Sequence, residues 1–183
     1  VRFQRFEGGC LGGFYLGGGI LDGKKIKCFI REKTIQGNPS EVFAFMDDIR
    51  NTGMHMTKSN ASMMGSKLVI EWLTDQHTGL GTQYCWTGKV MGMKMDFTVE
   101  VTKWMEGKEK TWETVGDAEM IVIDWYRMFL TVSQTEDGNT KAELGILYTK
   151  PKGKLWAFLL GRRYSIWCVN SMLKDTQKHF KKD

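Results

Sequence analysis

The chain has 183 residues, 42% hydrophobic and 26% charged, with a net charge of +5, which is the profile of one ordinary globular domain. That balance excludes a disordered, collagenous or disulfide-stapled chain. At this length folding buries roughly 70% of the surface an extended chain exposes, enough to sustain a sizeable core and a cavity within it.

Eight of the 21 glycines fall in residues 1–23. The apolar run inside this stretch lies between Glu7 and Asp22 and is shorter than the ~20 residues a membrane-spanning helix needs. Its glycines also disfavour a helix. Residues 1–23 are therefore expected to be a Gly-rich leader outside the core, with residues 24–183 forming a single domain. Charge is uneven as well. Residues 24–149 carry 15 basic and 17 acidic side chains, whereas residues 150–183 carry 9 basic and 2 acidic. No zinc-finger spacing or aromatic RNA-binding signature accompanies the basic end, so nucleic acid is not an expected partner. The cysteines, Cys10, Cys28, Cys85 and Cys168, form no C-x-x-C pair, which argues against a zinc or redox motif and fits reduced thiols in a cytoplasmic protein.

In chain order, residues 24–34 alternate Ile26, Cys28 and Ile30 with charged neighbours, as a strand does. Asn38-Pro39-Ser40-Glu41 then reads as a helix start, with Asn38 as N-cap, Pro39 at the first helical position and Glu41 completing a capping box. Val42, Phe43, Phe45, Met46 and Ile49 supply its apolar stripe. After an irregular, methionine-rich stretch, Leu68, Ile70 and Trp72 share one strand face. Further strands are expected over residues 82–90, over 93–101 with Met93, Met95, Phe97, Val99 and Val101 inward, and over 110–115, 120–132 and 140–149. Glu106-Gly107-Lys108 and Asp137-Gly138-Asn139 mark turns between them.

Residues 154–181 read as one long closing helix. On a wheel stepping about 100° per residue, Leu155, Phe158, Leu159, Ile166, Val169, Leu173 and Phe180 gather within about 60° of one direction, with Arg162 among them. This order is that of an α+β fold, a curved antiparallel sheet wrapped around a long C-terminal helix.

The segment Pro39-Ser40-Glu41-Val42-Phe43-Ala44-Phe45-Met46-Asp47-Asp48 resembles the P-x-E-V-F-x-[FY]-[ILM]-x-D pattern of the SRPBCC (START-like) superfamily, and of its polyketide cyclase/dehydrase-like members in particular. Gly79-Leu80-Gly81-Thr82-Gln83-Tyr84, Phe97 to Trp104 and the closing helix extend the resemblance over about residues 24–180. It implies a helix-grip fold with an apolar cavity that holds a lipid, sterol, polyketide or similar hydrophobic molecule. None of these motifs is catalytic, so the resemblance speaks to fold more than to chemistry. Many relatives carry a tryptophan-rich stretch near position 54, where this chain has Met54-His55-Met56.

Residues expected at the ligand are Met54, His55 and Met56 after the first helix, Tyr84, Trp86, Met93, Met95 and Phe97 on the strands, and Arg162 and Ile166 on the closing helix. Methionines suit an adaptable apolar pocket, and equally a loose core. Arg162 can take the carboxylate or phosphate of an amphipathic ligand, pair with a sheet carboxylate, or reach out at the pocket mouth. The leading reading is a noncatalytic binder or carrier. The alternative is a cyclase or dehydrase with His55 or Tyr84 as acid or base. The three histidines fall on unrelated segments, no metal is expected, and no cofactor motif occurs. Trp156, Leu160, Tyr164 and Trp167 form a second stripe on the closing helix, expected to be exposed beside lysines and suited to a membrane surface, a partner protein or a homodimer.

Overall fold

The computed structural model describes residues 19–53, 67–90, 93–151 and 155–181. Two short strands, β1 (Ile20–Leu21) and β2 (Lys24–Lys25), pair as a tight hairpin around Asp22-Gly23, both at positive φ. Next come β3 (Lys27–Ile35), α1 (Pro39–Asp47), α2 (Ile49–Thr52), β4 (Lys67–Trp72), β5 (Gln83–Val90), β6 (Met93–Met105), β7 (Glu109–Glu119), β8 (Trp125–Gln134), β9 (Thr140–Thr149) and α3 (Leu155–Phe180). The strands from β3 onward form one antiparallel sheet in the order β3-β9-β8-β7-β6-β5-β4, open at both edges.

The local signals that place these elements are physical ones. The Asn38 side chain accepts the Glu41 amide at 2.9 Å, which closes the first turn of α1 behind Pro39. Asp48 ends α1 and caps α2 by accepting the Arg50 amide at 2.8 Å. Gly107 and Gly138, at φ 67° and 78°, make the turns that flank β7 and β9. Met95, Phe97, Val99 and Val101 are buried in alternation with half-buried neighbours, as period two demands. The alternation starts at Met95, because Met93 is 39% exposed at the hairpin end of β6, where the covered face runs out.

Residues 120–132 do not form one strand. β7 runs on to Glu119, and Met120, Ile121 and Ile123 are buried in the connection before β8 starts at Trp125. An apolar run reads as strand whether it pairs or merely packs. In β8 the inward side chains are Tyr126, Met128, Leu130 and Val132.

The buried stripe of α3 also differs from expectation. Gly161, Ser165, Cys168, Val169, Met172, Leu173 and Thr176 face the interior, about 80° around the helix from the direction Leu155 marks. Ser165 donates to the Gly161 carbonyl and Thr176 to the Met172 carbonyl, both at 2.8 Å, so these hydroxyls are satisfied within the helix and can be buried. Ile166 is consequently half-buried, and Arg162 is exposed on the shoulder of the stripe instead of at its centre. Among the described residues no helix is long and apolar enough to cross a membrane.

Candidate functional site

The inner face of the sheet lies toward the helices, with α3 lying against β3, β9, α1 and α2. Register places Trp86 opposite Phe97 and Tyr84 opposite Val99 on β5 and β6, and Tyr126 opposite Tyr148 on β8 and β9. The Tyr84 ring packs edge-on against Trp72 and Trp86, at centroid distances of 5.6 and 6.5 Å, and Phe97 packs edge-on against Tyr126 at 6.1 Å. The structure thus brings together Tyr84, Trp86, Met95 and Phe97 of the expected ligand residues, all buried. Met54, His55 and Met56 lie outside the described residues. Met93 does not join the group, and Arg162 is exposed on α3.

Between this face and α3 four ionisable groups, two from the sheet and two from the helix, are held neutral. Burial pushes the Tyr84 phenol far up, and the nearby Asp47 charge adds to the shift. Tyr126 is raised by burial and by the neighbouring Tyr84, Tyr164 and Cys168, and Tyr164 by burial and Cys168. Burial pushes the Cys168 thiol up to about 12. β5, β8 and α3 therefore converge on a set of weak hydrogen-bonding groups rather than charges. Each phenol stays protonated at neutral pH, so Tyr84 is a donor there and not a base. The Tyr84 hydroxyl is buried without a hydrogen-bond partner among the described residues, and so is that of Thr82, just before β5.

Below Tyr84 lies a buried ion pair. Lys110, on β7, places its ammonium 2.7 Å from Asp47 Oδ1 and donates to the Asp47 carbonyl at 2.6 Å, with both side chains almost fully buried. Trp104 Nε1 donates to Asp47 Oδ2 at 3.0 Å, and the Lys110 ammonium lies 5.3 Å from the Trp112 ring centroid. This pair pins the end of α1 to the sheet. Sequence reasoning missed it, although Lys110 alternates with Trp112 and Thr114 along β7 and so had to share their face.

The second stripe on α3 is divided in the structure. Leu160 is 40% exposed and Trp167 is half-buried, while Tyr164, expected at the surface, has its phenol in the interior beside Cys168. A hydropathy wheel leaves Tyr164 outside the stripe because it does not score Ser165, whose hydroxyl bonds back to the Gly161 carbonyl, as an interior residue. The side chain of Trp156 lies outside the described residues. Among the described residues no group of three or more His, Cys, Asp or Glu side chains is placed to hold a metal ion.

No protein-family model matches the sequence, and no curated protein matches it. Solved structures do. The protein TTHA0849 from Thermus thermophilus is similar at TM-score 0.61 and 17% identity, over 84% of this chain and 97% of that one. Ara h 8.0201 is similar at TM-score 0.57 and 12% identity, over 85% and 97%. Ginseng major latex-like protein 151 from Panax ginseng is similar at TM-score 0.57 and 13% identity, over 86% and 99%. At these identities the likeness is one of fold, a helix-grip arrangement of an antiparallel sheet and a long C-terminal helix, as the sequence resemblance implies.

Proposed function

We propose that the chain binds a hydrophobic small molecule between the inner face of the sheet and α3, as a binder or carrier and not as a catalyst. The observation that carries this reading is the Tyr84 hydroxyl, which lies buried beside the aromatic rings of Trp72 and Trp86 and has no hydrogen-bond partner among the described residues. An unsatisfied buried hydroxyl costs on the order of 1–3 kcal/mol, a cost that a guest bearing an acceptor oxygen removes. The surroundings suit an apolar body: Trp86, Met95 and Phe97 supply surface, and the neutral phenols and thiol supply weak polar contacts without a charge to solvate. A general-base role for Tyr84 finds no support, since burial holds the phenol protonated.

The test is native mass spectrometry of gently purified protein. A bound small molecule of apolar character is expected, and Tyr84→Phe should lower its occupancy while leaving circular dichroism unchanged. Protein that carries no such molecule and takes up no apolar probe on titration refutes the reading.

A further inference from the structure

The two edges of the sheet are guarded differently. At one edge α3 lies against β3, Gln177 Nε2 donates to the Thr34 carbonyl at 3.0 Å, and the exposed Glu32 on β3 pairs with Lys141 on β9. At the other edge β4 pairs with β5 alone and has no neighbour on its other side in the sheet. β4 also lacks the usual devices that keep an edge from pairing, since it holds no proline and its register with β5 runs without a bulge. Val69 on this strand and Leu73 just past its end are 54% and 53% exposed, on the face away from the buried Leu68.

Register fixes which backbone groups of β4 are free. The Leu73 amide donates to the Gln83 carbonyl at 3.0 Å across the β4–β5 ladder, so by antiparallel alternation Glu71 and Val69 also turn their backbone groups to β5. The amides and carbonyls of Leu68, Ile70 and Trp72 therefore point to the open edge, a row of donors and acceptors that can template another strand.

A second copy of β4 fits that row. Where two identical edges meet antiparallel about a two-fold axis normal to the sheet, each possible register is centred on one residue. Centred on Leu68 or Ile70, it sets Val69 against a charge, Lys67 or Glu71, and centred on Glu71 it opposes two carboxylates. Centred on Val69, it sets Val69 against Val69, Leu68 against Ile70 and Lys67 against Glu71, so that apolar meets apolar and unlike charges meet. Leu68 and Ile70 then form the hydrogen-bonded pairs. Val69 with Val69 and Lys67 with Glu71 fall at the other positions, where side chains of opposed strands come closest.

We propose that the chain forms a homodimer by antiparallel pairing of two β4 edges about Val69, which joins the two seven-stranded sheets into one. The pairing does not depend on what the interior binds.

Sedimentation equilibrium of the whole chain tests it. Between about 1 µM and about 1 mM a monomer–dimer equilibrium is expected, because an interface of so few residues stands at the small, transient end of the range. Glu71→Lys opposes lysine to lysine on both sides of the axis and should weaken dimerisation by about tenfold or more, and Lys67→Glu with Glu71→Lys, which exchanges the charges, should restore it. Val69→Cys brings two thiols together at the axis, so mild oxidation should link position 69 to position 69 of the second copy, as mass spectrometry of the digest shows. Leu73→Cys, equally exposed but far from its own mate in this register, should link much less. Val69, Glu71 and Leu73 are all exposed, so circular dichroism should be unchanged by their substitution. A monomer throughout the concentration range, a dimer indifferent to Glu71→Lys, a charge exchange that fails to restore association, or linkage at position 73 as ready as at position 69 each overturns the proposal.

Discussion

Replacing Lys110 with methionine isolates the energetics of the ion pair beneath Tyr84. The change removes the cation 2.7 Å from Asp47 Oδ1 and the donor 2.6 Å from the Asp47 carbonyl, and leaves the Trp104 indole as the remaining described partner of the carboxylate. Both side chains are nearly inaccessible, at 4% and 6% exposure, so water cannot take over the lost contacts. Breaking such a pair from one side costs about 3–5 kcal/mol, because an uncompensated charge stays buried. A domain of this size is stable by roughly 5–15 kcal/mol, so the variant loses a large share of its margin and about 6–20 °C of melting temperature. The double variant Asp47→Leu with Lys110→Met removes both charges and should recover most of that loss. Urea unfolding followed by tryptophan fluorescence and circular dichroism measures all three proteins. A loss below about 1 kcal/mol in Lys110→Met, or a double variant no more stable than the single one, refutes the argument that desolvation dominates at this site.

Alkaline pH offers an independent check. Tyr84, Tyr126 and Tyr164 have folded-state values raised above the ordinary phenol. The stability they contribute is therefore complete below the unfolded value near pH 10 and falls above it, by about 1.4 kcal/mol per pH unit for each phenol. Their tyrosinate absorbance should rise together with loss of circular dichroism, and ionisation within an intact fold would contradict their burial. Gly145→Ala should destabilise by about 1–3 kcal/mol in thermal unfolding, because a Cβ there stands within 2.8 Å of three ring atoms of Phe129 across the β8–β9 pair; a neutral result means that ring moves aside freely. Asn38→Ala removes the cap on the Glu41 amide and should cost about 0.5–2 kcal/mol, with no change in ligand affinity.

How much of this was legible in the sequence depended on whether a signal was local. The cap at Asn38, the turns at Gly107 and Gly138 and the alternation from Met95 to Val101 are set by neighbours in the chain, and they appear where the pattern placed them. Tyr84, Trp86, Met95 and Phe97 could be grouped because strand alternation assigns a face before any partner is known. The stripe of α3 was displaced because helix back-bonding makes Ser165 and Thr176 effectively apolar, a property that hydropathy does not score. The Asp47–Lys110 pair joins residues 63 positions apart, so only the packing of α1 beneath β7 shows that the two charges meet. Arg162, which the helical wheel puts among the apolar side chains, is exposed at the edge of the buried stripe, because that stripe is turned about 80° by the small and polar residues it includes.

The open sheet has a consequence for the order in which the molecule forms. β4 to β9 pair strictly with their neighbours in the chain, each hairpin closing over a short connection. β3 instead pairs residue 27 with residue 148 and residue 35 with residue 140, so its contacts span more than a hundred residues. Loop-closure entropy makes such long-range pairing slow, and the meander can assemble before β3 is added to its free edge. α3, which rests on β3 as well as β9, shares that delay. β3 and α3 therefore close over the inner face of the sheet only after the meander of β4 to β9 has formed.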